Sequence, residues 1–159
     1  FLKGFLLSIL LSPWPLFWVG DRGSPVRSLQ YLLRAHGHDL VVDGVFGPVT
    51  EVAVRAFQKE GELVVDGVVG PITWRALIIE VAQGSTGDAV RAGQDQLQSR
   101  VQAGNPDLAV QIDGIFGPRT DAVVRTFQRR VAVAVTSFPV DGIVGPLTWQ
   151  ALVGGMLTD

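Results

Sequence analysis

The 159-residue chain has no cysteine, so neither a disulfide framework nor a thiol nucleophile is available to it. Lysine occurs only at Lys3 and Lys59, and arginine supplies the other eleven positive charges. Fifteen acids leave a formal charge of −2 at pH 7. This lack of a basic surplus argues against nucleic acid as a partner. Histidine is scarce as well. His36 and His38, with Asp39, form a His-x-His-Asp cluster that falls short of the ligands and supporting shell zinc requires. No metal and no cofactor are expected. A recognisable Ser-His-Asp signature and a glycine-rich phosphate loop are also missing, so the chain is not expected to be an enzyme.

No apolar run reaches the roughly 20 residues that cross a bilayer as a helix. The nearest is Phe1 to Ser12, mostly apolar with one cation, Lys3. It resembles the cationic start and apolar core of an export signal. An initiating Met and a small-x-small cleavage site before Pro13-Trp14-Pro15 are both wanting. Two readings of residues 1–18 therefore stand side by side. One is a signal or membrane-surface segment, and the other is an interaction segment that docks on a partner or a second copy.

The chain does contain one phrase, written four times. It reads Asp43-Gly44-Val45-Phe46-Gly47-Pro48-Val49-Thr50 and then Asp66-Gly67-Val68-Val69-Gly70-Pro71-Ile72-Thr73. It returns as Asp113-Gly114-Ile115-Phe116-Gly117-Pro118-Arg119-Thr120 and Asp141-Gly142-Ile143-Val144-Gly145-Pro146-Leu147-Thr148. The order of Phe and Val forms makes the chain a tandem of two modules, each of two related halves. Asp-Gly marks a turn, the next two apolar residues are expected to point inward, and Pro suits the first position of a helix.

After Pro48, the residues Val49, Val52, Ala53, Ala56 and Phe57 carry helical spacing up to Gly61. A helix from Pro71 to about Glu80 places Trp74, Leu77 and Ile78 on one face. Ser24-Pro25 reads as cap and first helical residue of an earlier helix, with Val26, Leu29, Leu32 and Leu33 as its stripe. In the second module the helices are expected after Gly87 and from Pro118 and Pro146. The fold class is thus all-α, two tandem three-helix modules. The expected division is an apolar segment at 1–18, module one at 19–80, a short linker at 81–86, module two at 87–154 and a tail at 155–159.

Matched positions are offset by 64 up to Leu97, by 70 at Asp113 and by 75 at Asp141. Module two therefore carries six extra residues before its first turn and five before its second. Gly93 stands where module one has Leu29, which costs helix propensity and packing. The run Val131 to Phe138 reads as apolar and β-prone, and so as a segment that must pair or associate.

Gln30, the Asp-Gly phrases, Phe57-Gln58 and Thr73-Trp74 with Leu77 together resemble the peptidoglycan-binding domain-like family, type 1. Module two repeats the pattern through Gln94, Phe127-Gln128, Thr148-Trp149 and Leu152. The resemblance covers about residues 19 to 153. It implies a three-helix, non-catalytic module that binds bacterial peptidoglycan, glycan strand and stem peptide together. It also implies export, to the cell wall or the extracellular space, and a place as the targeting part of a wall hydrolase. The rival expectation is a self-assembling extracellular protein that reuses the fold. Its support is the apolar strip, the run at 131–138 and a positive mean hydropathy.

Asp43, Asp66, Asp113 and Asp141 could serve as acid–base pairs on glycans, but Asp-Gly is a turn signature first, so they are assigned to the turns. Gln30, Gln58, Gln94 and Gln128 sit on apolar faces, where an amide anchors buried loop groups. Arg27 matches Arg91 and Arg55 matches Arg125, and a guanidinium there suits the free carboxylates of stem peptides. Phe46, Phe116, Trp74 and Trp149 complete the candidate ligand-binding set, as aromatic faces for sugars against a competing place in the core.

Overall fold

A computed structural model describes residues 11–158 of the chain. The expectations for residues 1–10, and for the last residue of the tail, lie outside the described residues. Among the described residues six α-helices carry the fold: α1 (Ser24–Ala35), α2 (Pro48–Glu60), α3 (Pro71–Leu77), α4 (Asp88–Ser99), α5 (Pro118–Ala134) and α6 (Pro146–Val153). A 3-10 turn spans Pro106–Leu108. No strand forms among the described residues, only isolated β-bridges. The chain is all-helical, arranged as two three-helix modules.

Four helices begin at the Pro of a Gly-Pro pair, with the Gly in extended backbone and no side-chain cap. Proline at the first turn has no N–H to leave unsatisfied and a φ already near the helical value. The start of α1 differs from the expectation. Gly23 occupies the cap position, Ser24 is already helical, and its hydroxyl caps nothing. Helix α3 stops at Leu77 rather than near Glu80, because Ile78 turns to extended backbone.

The buried face of α2 is Thr50, Ala53, Val54, Phe57 and Gln58. Val49 and Val52, expected on the stripe, are both about two-thirds exposed, at 65% and 68%. Of the two apolar residues after each Asp-Gly, the third and fourth of the phrase, only the fourth points fully inward, as Phe46, Val69, Phe116 and Val144. The third stays part-exposed, most of all Ile115. The run 131–138 is not β-structure. Its first residues extend α5, and Val131, Val135 and Phe138 are buried. The inserted residues before the second turn thus become about one further helical turn, 17 residues in α5 against 13 in α2.

The most extensive helix contact joins the modules through α1 and α4. Arg27 Nε meets Asp95 at 3.0 and 3.1 Å, Gln96 Nε2 donates to Ser28 Oγ at 2.9 Å, and Arg34 Nε meets Asp88 at 3.2 Å. Residues 27 and 28 meet 95 and 96 while residue 34 meets 88, so the two helices run antiparallel. Small residues on this face, Ser28, Ala89 and Ala92, are almost fully buried and allow close approach. Gly93 lies under Trp149, whose Cη2 would stand 3.8 Å from an added Cβ, an ordinary contact distance. The Trp ring thereby covers the space beside the missing side chain.

Segments flanking the helices pack against them. Phe17 and Val69 exchange backbone hydrogen bonds of 3.0 and 2.9 Å, and Val81 and Val144 do the same at 3.4 and 2.9 Å. Trp14 stacks on Trp74 with ring centroids 6.2 Å apart. Further back, Leu11 is buried and the Ser12 carbonyl accepts a hydrogen bond from Gln150 Nε2 at 2.9 Å. Residues 11–17 thus strap α6 of one module to α3 of the other. Both modules share one continuous apolar core.

The strap passes directly over Gly154. A Cβ there would lie 2.6 Å from the Gln150 carbonyl oxygen, 3.0 Å from Ser12 Cβ and 3.1 Å from the Pro13 carbonyl oxygen. Replacing Gly154 with Ala forces backbone to move and is expected to cost about 1–3 kcal/mol. Urea unfolding of the variant should show a lowered midpoint, and an unchanged midpoint would place the strap elsewhere.

Candidate functional site

Each Asp-Gly turn is held by one buried glutamine amide from the preceding helix. Gln30 Nε2 donates to Asp43 Oδ1 at 2.9 Å, the Val45 carbonyl at 3.1 Å and Thr50 Oγ1 at 3.1 Å. Its Oε1 accepts from the N–H groups of Asp43 and Gly44 at 3.0 and 2.9 Å. Asp43 Oδ1 also accepts from the Val45 N–H at 2.9 Å. Gln58 grips Asp66, Gly67, Val68 and Thr73 in this manner. Gln94 grips Asp113, Gly114, Ile115 and Thr120. Gln128 completes the set on Asp141, Gly142, Ile143 and Thr148.

An arginine three residues before each glutamine covers the turn from outside. At the third turn Gly114 has φ 76, and a Cβ there would lie 2.7 Å from Arg91 Cζ. Arg27, Arg55 and Arg125 lie likewise over Gly44, Gly67 and Gly142. Every one of these arginines already has an acid. Arg27 pairs with Asp95, Arg55 with Glu51, Arg91 with Asp88 and Arg125 with Asp121. The spacing Arg-x-x-Gln was readable in the sequence four times and is the signal that links these two sets of residues.

The aromatic candidates are placed in the core. Phe46, Trp74 and Trp149 have no exposed surface and Phe116 has 2%. Trp74 Nε1 donates to the Pro15 carbonyl and Trp149 Nε1 to the Ile79 carbonyl, each at 2.9 Å. Their faces are closed to sugars because the strap and its counterpart at 78–81 cover them. His36 Nε2 is 2.8 Å from the Leu77 carbonyl oxygen, so it is engaged at the end of α3. Among the described residues no group of three potential metal ligands converges.

Arg100 stands 64 residues after His36 and was missed by sequence reasoning. It is fully buried and donates to the carbonyls of Gln96, Leu152 and Met156 at 2.5, 2.7 and 2.8 Å. Burial brings its guanidinium down to about 10, still well charged at neutral pH. Both residues serve one purpose, satisfying the carbonyls that the last helix of a module leaves open.

Open grooves lie beside the turns. The largest, about 560 Å³, is lined by Gln98, Val110, Gln111, Asp113, Ile115 and Arg119 among others. At the second turn of each module a smaller groove follows the phrase itself, along Asp66, Val68, Pro71 and Ile72, and along Asp141, Ile143, Pro146 and Leu147. Beside the first turn of module one the groove is apolar, with Val49, Val52 and Ala56 next to His38 and Asp39. The turn aspartates line three of these grooves. None of Arg27, Arg55, Arg91, Arg125, Phe46, Phe116, Trp74 and Trp149 lines any of them.

Removing a clamp leaves buried turn groups without partners. Gln58→Ala is expected to lower stability by about 2–4 kcal/mol, read by urea unfolding. The turn carboxylates also couple stability to pH. Hydrogen bonds from Gln30 and the Val45 N–H hold the Asp43 carboxyl below its ordinary value of 3.8, and those from the Ile115 N–H and Gln94 do so for Asp113. Their contribution is complete above the unfolded value and is lost as pH falls through the folded one. Asp95 acts oppositely. Burial raises its carboxyl against the pull of Arg27, so its contribution is lost as pH rises through the raised value. Stability should fall steeply below about pH 4. Asp113→Asn should flatten that fall, and an unaltered profile would remove Asp113 from the linkage.

Comparison with known proteins agrees with the sequence pattern. A family described as a peptidoglycan binding domain matches residues 22–77 and again 86–152. The zinc D-Ala-D-Ala carboxypeptidase of Streptomyces albus G is 39% identical over 129 residues, 79% of this chain and 44% of that protein. An uncharacterized protein of Kitasatospora aureofaciens is 43% identical over 72 residues, 45% of this chain and 53% of that one. The chain thus spans about half the length of these curated relatives. Among solved structures, a peptidoglycan-binding protein from Clostridioides difficile is similar at 36% identity and a TM-score of 0.39, covering 40% of each chain. The Burkholderia AP3 phage endolysin is similar at 37% identity and a TM-score of 0.40, covering 58% of this chain and 38% of that one. With both three-helix modules matched, the chain belongs to the peptidoglycan-binding domain family.

Proposed function

We propose that the chain is a non-catalytic binder of bacterial cell-wall peptidoglycan that targets an exported wall hydrolase to its substrate. The observation that carries this is the family match in both modules, together with a groove beside each of the four turns. The carboxypeptidase relative supports the targeting role, since the similarity spans 44% of that protein and leaves the rest of it unmatched. Two modules locked in one body present their grooves at fixed separations, so binding to a repeating polymer gains from simultaneous engagement.

We place ligand contact in the grooves rather than on the four outer arginines, whose guanidinium groups are already engaged with acids. Burial withdraws Phe46, Phe116, Trp74 and Trp149 from the ligand face. Module boundaries are proposed to follow the packing, with the strap from Leu11 and the segment 78–86 counted with the helices they cover.

A self-associating extracellular protein is the second reading. Leu16, Trp18 and Val19 favour it, since they form an exposed apolar stretch at 56%, 52% and 45%. Burial of Val131, Val135 and Phe138 takes three apolar residues of the run at 131–138 away from it, and Val133 stays exposed, at 89%. The full chain should sediment with purified peptidoglycan sacculi, should not sediment with cellulose or chitin, and should release no soluble muropeptides. Retention on all three polymers, or on none, would count against wall binding. A multimer by light scattering with no retention would favour the second reading.

A further inference from the structure

The four phrases differ chemically at one place. The residue after Gly-Pro is Val49, Ile72 and Leu147 in three of them and Arg119 in the third. Val49, Ile72 and Leu147 are exposed, so this position projects outward at those turns. At the third turn an exposed guanidinium stands there instead, on the wall of the largest groove.

Residues before the turn form that groove's second wall. It is made by Ala109, Val110 and Gln111, within the segment that carries the six extra residues of module two. Leu108, with no exposed surface, pins the segment, and the Val110 N–H donates to Gln98 Oε1 at 2.9 Å. Arg119 Nη2 donates to the Ala109 carbonyl at 2.8 Å, which holds the guanidinium at the groove. No acid among the described residues lies within ion-pair distance of it, in contrast to Arg27, Arg55, Arg91 and Arg125. Asp113 spends Oδ1 on Gln94 and the Ile115 N–H, and its Oδ2 has no partner among the described residues. Val110 and Ile115 supply apolar surface alongside. The volume, about 560 Å³, suits a ligand of a few residues.

A fixed cation with free N–H groups, a carboxylate oxygen and a short aliphatic floor are complementary to a peptide bearing a terminal carboxylate, small side chains and an amine. We infer that this groove reads the stem peptide of the wall, with its terminal carboxylate on Arg119 and its amino group on Asp113. The corresponding position of module one is Val49, which offers no cation to a carboxylate, so the two modules differ in what they read. This assignment rests on the wall-binding reading and adds the ligand class and the module.

The test is titration calorimetry of the full chain with soluble L-alanyl-γ-D-glutamyl-L-lysine and with its meso-diaminopimelate counterpart. Each is used free, amidated at the terminal carboxylate, and acetylated on the side-chain amine. Sedimentation with sacculi runs in parallel. Arg119→Val places module one's residue at the matched position and is exposed, so the thermal midpoint should not change. The expected result is that amidation, acetylation and Arg119→Val each weaken peptide binding about tenfold or more, with no further loss when amidation and the variant are combined. Equal binding of free and amidated peptide, or of variant and parent, overturns the assignment. Sedimentation of the parent with sacculi without binding of either tripeptide overturns it while leaving wall binding intact. Failure of both overturns the two together.

Discussion

The buried glutamine amide is the interaction on which the rest of this structure depends. A tight turn that faces the core must find partners for its own N–H and carbonyl groups. One side chain does this at each turn, since an amide both donates and accepts. Gln30, Gln58, Gln94 and Gln128 each reach a turn aspartate, a glycine N–H, the next carbonyl and the threonine of the following helix. The turn, the start of the next helix and the groove beside them are therefore one unit, and altering the amide alters all three.

The units are assembled into a single body by two contacts that the repeat itself does not contain. Antiparallel packing of α1 on α4 buries small residues and Asp95, which meets the part-exposed Arg27 at the seam. The strap at 11–17 then ties α6 to α3 through Gln150 and Trp74. Neither contact is symmetric. Tyr31 stands where a mirrored Asp95 would be, so Arg91 turns to Asp88 on its own helix. Tandem modules with such a seam are held at fixed geometry, which matters for a protein that engages a repeating polymer.

Duplication followed by divergence accounts for the chemistry of the surface. The clamps are alike in all four turns because the backbone they satisfy is alike. The positions that the clamps leave free have changed: Val49 against Arg119, His36 against Arg100, and a short connection against the segment carrying the 3-10 turn at Pro106–Leu108. The grooves inherit these differences, with Val49 lining the one at the first turn of module one and Arg119 the one at the first turn of module two.

Local sequence determined the all-α class, the two-by-two repeat, the helix starts at Gly-Pro and the anchoring amides. Each of these rests on interactions among residues close in the chain, where turn chemistry and helical spacing act directly. Tertiary structure decided which apolar residues became core. Val49 and Val52 share the spacing of Ala53 and Phe57 but face solvent, because periodicity marks a stripe without saying how far a neighbour extends over it. It also decided the fate of Trp74 and Trp149, whose indoles are covered by segments about 59 and 70 residues away in sequence. The outer arginines were legible as exposed cations, yet the glycines beneath them, and Asp95 beside Arg27, came from turns and a helix that only folding brings together. The grooves were not legible at all, since a concave surface exists only once the walls from separate parts of the chain have met.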